Sequence, residues 1–417
     1  MSADEFLNKR EFIIRLGKAL HKFGTPAYRL EAHLQNVSGK LGLEGYFLVS
    51  PTSMTFVLNH DGEPDGAAST GVHSQEYTHI ARVTPGELDL GSLARCDELV
   101  DELTSGERNL QEAIERLTDI ESRPNPYGVL LTCGSFTAAA AAFAMLMETS
   151  WNDVIWSGLF GFIVYWLVFI SERSRRMAEM LEPLSAIVCA LGACAISVFD
   201  PGINIPVVIL SGIIIFIPGL ALTIGLAELA ARDLLSGTAR VMDAMMLLFK
   251  LYFGAVLGMT LGRTMFGDVA YVVPPSVPEI EHWLAVPILS ICLVFIFRAR
   301  LKDAFWGILA GVIAYSCAEL AMVYFTSSIG IFFGALAVGV YANLYARWMK
   351  APASIALLQG IVILVPGSKA YIGLNAMISG EMMLNQVAIG SQVFLIFMSL
   401  IAGLIFSNVL MPPRRTL

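Results

Sequence analysis

Charged residues are scarce in this 417-residue sequence: Asp, Glu, Lys and Arg make up 15% of it, and hydrophobic residues make up 56%. Soluble domains carry about 25% charged residues, so most of this chain is not an ordinary soluble domain. The net charge of −8 lies entirely in the first 126 residues, and the rest of the chain is neutral. This acidic balance, with no basic stripe, argues against nucleic acid as a partner.

Several motifs are also missing from the sequence. There is no Walker A loop and no G-x-S-x-G element, so neither an ATP-driven pump nor a serine hydrolase is predicted, and we expect no enzyme activity. The six cysteines form no C-x-x-C pair, which favours small buried hydrophobic side chains over disulfides. Five of the six histidines lie in the first 126 residues without metal-ligand spacing, so no metal or other cofactor is predicted.

The first 126 residues are predicted to form an α+β domain. They contain two helical segments, three short β-rich runs and two further helices, and they end at the breaker-rich stretch 121–128. The first twenty residues are charged throughout and contain no apolar signal-peptide core. We therefore expect this domain to lie in the cytoplasm.

Apolar runs long enough to cross a bilayer of about 30 Å recur after residue 126. They predict ten transmembrane helices, at residues 127–147, 153–170, 183–199, 204–230, 238–262, 283–298, 303–325, 329–346, 353–378 and 386–411. Loops on one side carry the arginines and lysines, and loops on the other side carry mainly acidic residues. The sequence therefore predicts a protein of the inner (plasma) membrane. By the positive-inside rule, both of its termini are predicted to face the cytoplasm.

Two of these predicted helices resemble each other. Pro218-Gly219 in residues 213–237 aligns with Pro366-Gly367 in residues 361–385, and further identities follow at the same offset of 148 residues. The copies begin in the fourth and ninth predicted helices, so each repeat unit contains five helices, and this odd number inverts the second unit relative to the first. We therefore predict a polytopic α-helical membrane protein with a 5+5 inverted repeat, as in many secondary transporters. The predicted parts are a cytoplasmic domain (1–126), a first repeat (127–262), a periplasmic loop (263–282) and a second repeat (283–417).

The two Pro-Gly pairs predict the substrate site. Proline removes a backbone donor and glycine permits unwinding, and the freed backbone groups must line a cavity or contact protein. A half-helix that begins after such a break directs its positive end at the break, where it suits a carboxylate. A plain proline kink is the alternative for each pair. The predicted substrate-binding residues are Pro218, Gly219, Pro366, Gly367, Ser368, Lys369 and Asn375.

Ionisable side chains inside the predicted helices are candidates for proton coupling, because such residues are costly in a membrane and are usually functional. Asp243 is the first candidate and Glu228 the second, with Lys250 and Glu319 as further members. A structural ion pair, with Lys250 or Lys369 as the cation, is the alternative interpretation.

Residues 24–58 and 78–117 resemble the opening of the threonine/serine exporter family, with Tyr28, Arg29, Glu31 and Pro51-Thr52 as the most specific positions. The five-plus-five arrangement fits the family's fused form, and split-chain members are linked to succinate export. The resemblance implies secondary-active export of small hydrophilic metabolites, most simply threonine and serine, by an antiporter driven by the proton-motive force.

A dicarboxylate exporter, a channel and a membrane-embedded enzyme are the alternatives to this interpretation. The implied partners are an amino acid or dicarboxylate substrate, protons and the lipid bilayer. The sequence leaves a homo-oligomer open.

Overall fold

The computed structural model describes residues 3–60, 77–147, 149–267, 282–365, 367 and 387–413. The elements before residue 126 follow the predicted order of two helices, three strands and two helices. They are α1 (Ala3–Lys22), α2 (Ala27–Lys40), β1 (Leu43–Ser50), β2 (Ser53–His60), β3 (Tyr77–Arg82), α3 (Leu90–Thr104) and α4 (Leu110–Ser122).

The three strands form one antiparallel sheet in the order β1-β2-β3. Apolar side chains from α1, α2, α3 and α4 pack with side chains of the sheet in one hydrophobic core, in which Phe12, Leu30, Phe56 and Leu117 are fully buried. The helical period of α1 and the alternation along β2 place these residues on the inner faces of their elements. The N-terminal elements therefore share a core of their own.

The remaining elements are helices. They are α5 (Val129–Leu146), α6 (Trp151–Ser171), α7 (Arg175–Ser197), α8 (Ile205–Gly212), α9 (Gly219–Ala230), α10 (Leu234–Phe266), α11 (His282–Ile296), α12 (Leu301–Met322), α13 (Ser327–Met349), α14 (Ser354–Leu364) and α15 (Val387–Leu410). A short 3₁₀ turn, Ile214–Phe216, lies between α8 and α9.

Seven helices of the described part of the chain are long and apolar enough to cross a membrane. The bent pair formed by Ile205–Gly212 and Ile214–Ala230 would make an eighth, and α11 and α14 are shorter apolar helices. The chain is therefore a polytopic helical membrane protein.

Helix α7 begins earlier than the predicted span 183–199. It starts at Arg175 and continues through Pro183, which lies inside the helix. The first two turns carry charged residues, so they fall outside an apolar window even though they are helical. Proline removes one hydrogen bond but does not always end a helix. A prediction that combines hydropathy with proline as a helix breaker therefore places the start of α7 too late.

Helices α7 and α10 pack through a seam of small residues. On α10, Gly254, Gly258 and Gly262 recur every four residues and so lie on one face. A Cβ atom at Gly254 would lie 2.9 Å from the Ala186 side chain, and one at Gly258 would lie 2.6 Å from that of Ala190. Small residues let helix backbones approach closely, which is the usual way helices associate in a membrane.

The N-terminal elements contact the helical part at two places. At the first, the Leu90 N–H at the start of α3 donates to the Phe297 carbonyl at 3.0 Å. Nearby, Glu98 of α3 forms ion pairs with Arg300 at 2.8 Å and with Lys302 at 2.7 Å. The second contact is at the end of α9.

Candidate functional site

The helix break predicted at Pro218-Gly219 is present. The two parts of the bent pair meet at 59°. Between them, Ile217 is extended (φ −67°, ψ 118°) and Pro218 is the N-cap residue of α9. Proline suits the start of a helix because its missing N–H needs no partner there. A continuous helix is therefore interrupted at the predicted position.

The second break has the same backbone geometry at its first residue. Helix α14 ends at Leu364, and Val365 is extended (φ −68°, ψ 127°), close to the values of Ile217. Val365 lies 148 residues after Ile217, the same offset that relates the two Pro-Gly pairs. Pro366, Ser368, Lys369 and Asn375 lie outside the described residues, so their predicted roles remain predictions.

The two breaks meet at their glycines. A Cβ atom at Gly219 would lie 3.1 Å from the Gly367 Cα, and a Cβ atom at Gly367 would lie 3.1 Å from the Gly219 Cα. Each glycine also contacts the residue two positions before the other glycine. A Cβ atom at Gly219 would lie 2.5 Å from Val365 Cγ1, and a Cβ atom at Gly367 would lie 3.0 Å from Ile217 Cγ2. Neither glycine has room for a side chain, and the contact is reciprocal.

Glu228, a predicted coupling residue, lies in the last turns of α9 and is fully buried. Arg240 of α10 donates to it twice, from Nε to Oε2 at 3.0 Å and from Nη2 to Oε1 at 3.1 Å. The backbone N–H of Ala27, at the start of α2, donates to Oε1 at 3.0 Å. This carboxylate therefore joins the broken helix, α10 and the N-terminal elements.

Two more carboxylates lie close to this ion pair. Burial raises the pKa of Glu31, the Val49 N–H lowers it, and the charges of Asp233 and Glu228 raise it further. Burial likewise raises the pKa of Asp233, which lies in the loop before α10. The hydrogen bond from the Ser236 N–H lowers this pKa, and the charge of Glu228 raises it further. Burial lowers the pKa of His21, which favours the neutral imidazole. Arg240 pairs with Glu228, and its charge lowers the pKa of Asp233 and of His21.

Comparison with known proteins places this arrangement in a family. The family model described as "Putative threonine/serine exporter" matches residues 11–262. The one described as "Threonine/Serine exporter, ThrE" matches residues 282–410. The chain belongs to the threonine/serine exporter family. The resemblance found in the sequence is thereby confirmed, and membership supports a membrane transporter.

Similar curated proteins are fungal. The "Pheromone-regulated membrane protein 10" of Candida albicans is 27% identical over 399 residues, which is 92% of this chain and 34% of that protein. The protein of the same name in Eremothecium gossypii is 26% identical over 388 residues, which is 88% of this chain and 49% of that protein. The chain thus spans about a third to a half of the length of these relatives. No solved structure matches it.

The other predicted coupling residues of this exporter-family chain are not gathered around the ion pair. Asp243 lies on the exposed face of α10 and has no hydrogen-bond or ion-pair partner among the described residues. Lys250, two turns further along α10, pairs with Glu182 of α7 at 3.8 Å. Glu319, near the end of α12, is half-buried and likewise has no side-chain partner in the described part of the chain.

Arg240 and Glu182 are site residues that sequence reasoning missed. The alternative interpretation paired the predicted carboxylates with Lys250 or Lys369, but Glu228 pairs with Arg240. Arg240 lies near the start of the fifth predicted span, and Glu182 directly precedes Pro183, where the third span was expected to start. The hydropathy pattern assigns no partner to a charged residue at such a position.

A second signal was available at the offset of 148 residues. Ser211 on α8 and Gln359 on α14 are fully buried equivalent positions, each two turns before a Pro-Gly pair. The Ser211 hydroxyl and both amide atoms of Gln359 have no hydrogen-bond partner among the described residues. Buried polar groups are usually paired. These two residues therefore place a buried polar side chain two turns before each break.

Proposed function

We propose that this protein is a secondary-active exporter of small hydrophilic metabolites, with threonine and serine as substrates and the proton-motive force as the energy source. It crosses the inner membrane ten times as a 5+5 inverted repeat, with both termini and the α+β domain in the cytoplasm. The reciprocal contact of the two helix breaks carries this proposal. A substrate site at such a crossing is the arrangement expected of inverted-repeat transporters.

The order of helices supports the repeat. The first half consists of α5, α6, α7, the broken α8–α9 and α10, and the second half of α11, α12, α13, α14 and α15. In each half the second helix packs on the fourth, and the third packs on the fifth. The first helices, α5 and α11, pack on each other. This agreement in packing is independent of the sequence identities at the breaks.

The backbone at the breaks supports a polar substrate. The Pro218 nitrogen carries no hydrogen, and the Gly219 N–H donates to the Ile217 carbonyl at 2.8 Å, so the N–H groups of Leu220 and Ala221 are the first-turn donors of α9 without helical acceptors. These donors and the positive end of the α9 dipole face the break, where they favour a negatively charged group. A carboxylate is shared by amino acids and dicarboxylates, so this feature supports export of either class.

The first experiment is efflux from preloaded vesicles that contain the full chain. Labelled threonine, serine and succinate are compared with and without an uncoupler. Saturable efflux of threonine or serine that collapses with the uncoupler is expected. Efflux of succinate alone would replace the amino-acid proposal with a dicarboxylate exporter, and non-saturable flux would indicate a channel.

A variant of the break tests the site itself. Gly219→Leu places a side chain where Val365 and Gly367 already lie, so we expect transport to be lost while the protein still inserts. Leu222→Val changes a buried residue one turn further along α9 without filling the crossing, and serves as the control. Full transport by Gly219→Leu would contradict a substrate site at the crossing.

A further inference from the structure

An acidic cluster lies where the N-terminal elements meet the end of α9. It consists of Glu31, Glu228 and Asp233, together with Arg240 and His21. Burial lowers the pKa of the His21 imidazole. The bidentate pair of Glu228 and Arg240 neutralises one carboxylate. The other two carboxylates have no ion-pair partner among the described residues, although the charge of Arg240 also lowers the pKa of Asp233.

Those two carboxylates are Glu31 and Asp233. Oε1 of Glu31 accepts a hydrogen bond from the Val49 N–H at 2.7 Å, and Oδ1 of Asp233 accepts one from the Ser236 N–H at 3.2 Å. Oδ2 of Asp233 is buried without a hydrogen-bond partner among the described residues. A buried carboxylate oxygen with no partner is costly, and a cation or a hydrogen-bond donor removes that cost.

Two buried hydroxyl groups on the segments that meet here are also unpaired among the described residues. Ser236, whose N–H bonds Asp233, is fully buried, and its Oγ has no partner among the described residues. Thr25 is nearly as buried, and its Oγ1 is likewise unpaired in the described part of the chain. Thr25 lies two residues before Ala27, whose N–H bonds Glu228. Buried polar groups are usually paired, so these unpaired groups are candidates for hydrogen bonds to a ligand.

We propose that this cluster binds the ammonium group of the exported amino acid before it reaches the helix crossing. The assignment rests on the proposed export function, which places the cluster on the cytoplasmic side. An ammonium group brings one positive charge and three donors, which suit the free carboxylate oxygens and the hydroxyls. The same negative charge repels a dicarboxylate, so the cluster selects between the two substrate classes that the helix break alone accepts.

Exposure of the carboxylates is compatible with a ligand from solution. Glu31 and Asp233 are each partly exposed, whereas Glu228 is fully buried behind them. Burial is the largest cause of the raised pKa values of the two outer carboxylates, and a nearby positive charge would lower both values.

The test uses the full chain in inside-out vesicles, with transport of labelled threonine measured from the side that carries the N-terminal elements. The variants are Asp233→Asn and Glu31→Gln. Each amide keeps the oxygen that accepts the existing backbone hydrogen bond, so the fold and the α10 N-cap are retained. Glu115→Gln, an exposed carboxylate on α4, is the matched control.

We expect each variant to raise the KM for threonine by about tenfold, with kcat within about twofold, because each removes one charge-assisted hydrogen bond. The control should match the wild type. Threonine methyl ester, which keeps the ammonium group, should inhibit the wild type and inhibit the two variants more weakly. N-acetylthreonine, which lacks the ammonium group, should inhibit none of them.

Two results would overturn the assignment while leaving export intact. The first is an unchanged KM in both variants alongside normal wild-type transport. The second is an unchanged KM with a displaced pH profile, which would identify a proton site instead. Wild-type transport of succinate without threonine or serine would overturn both the ammonium site and the proposed amino-acid export.

Discussion

Replacing Glu228 with glutamine separates the two roles that a buried carboxylate in this helix can have. In the structure its oxygens accept two hydrogen bonds from Arg240 and one from the Ala27 N–H. Glutamine keeps an acceptor for Ala27 but offers Arg240 no charge. If the carboxylate is structural, the main loss is stability. If it carries the coupling proton, the main loss is the pH dependence of transport.

The size of the stability loss follows from burial. Breaking a buried ion pair by removing one partner costs about 3–5 kcal/mol, because the other charge is left uncompensated. The Arg240 side chain is 22% exposed, so water compensates part of its charge and the lower end of that range applies. At about 2–4 °C per kcal/mol for a large domain, a loss of about 3 kcal/mol should lower the unfolding temperature by about 6–12 °C.

The assay is thermal unfolding of the purified full chain, combined with limited proteolysis of the 121–128 boundary. A double variant, Glu228→Gln with Arg240→Met, completes a mutant cycle. It should be more stable than Glu228→Gln alone, because it removes the unpaired charge. An unchanged unfolding temperature in Glu228→Gln, together with transport that no longer responds to pH, would refute the structural interpretation and restore Glu228 as the coupling residue.

Further predictions concern other residues. Asp243→Asn should change the unfolding temperature by no more than about 1 °C, since the side chain is exposed and has no partner among the described residues. If Asp243 couples protons, the rate of efflux by this variant should be the same with and without an uncoupler. Lys250→Gln should lower the unfolding temperature by only about 2–4 °C, because the ion pair of Lys250 with Glu182 is partly exposed. A larger fall in the unfolding temperature would show that Glu182 is effectively buried. Gly258→Val should separate α7 from α10 and reduce the amount of folded protein recovered in detergent, since even a Cβ atom there meets a neighbouring helix; recovery equal to wild type would contradict that packing. The raised pKa of Glu31 means that the folded state holds this proton more tightly, so its contribution to stability is complete below the unfolded value of 4.5 and is lost as pH rises through the folded pKa. The wild type should therefore lose stability relative to Glu31→Gln in thermal unfolding as pH rises above 4.5, and parallel curves would contradict this shift.

Local sequence patterns were enough to predict several parts of the fold. The helices and strands before residue 126 have clear periodicity and breakers at their ends, so their order was predictable. The break at Pro218 was predictable because proline and glycine act on the backbone where they stand. The contact of Gly219 with Gly367 was not predicted, since a repeat implies symmetry but does not specify which atoms touch.

The ion pair of Glu228 with Arg240 could not be predicted from the sequence, for a different reason. The two residues are 12 apart and lie on different helices, so their approach depends on the turn between α9 and α10 and not on helical spacing. The Ala27 N–H joins them from an element 201 residues away in sequence. No single-sequence pattern connects positions at that separation, and the acidic cluster built around this pair was therefore not predicted.

We expect the contact between Gly219 and Gly367 to act as a pivot. With no side chain on either residue, the two backbones come into direct contact there, and α9 extends from that contact. Helix α9 has 12 residues and is therefore about 18 Å long at 1.5 Å per residue. A rotation of about 20° at the pivot would displace its far end by about 6 Å. That displacement is comparable to the width of a small amino acid, so a modest rocking motion would open one side of the protein while the crossing itself stays closed.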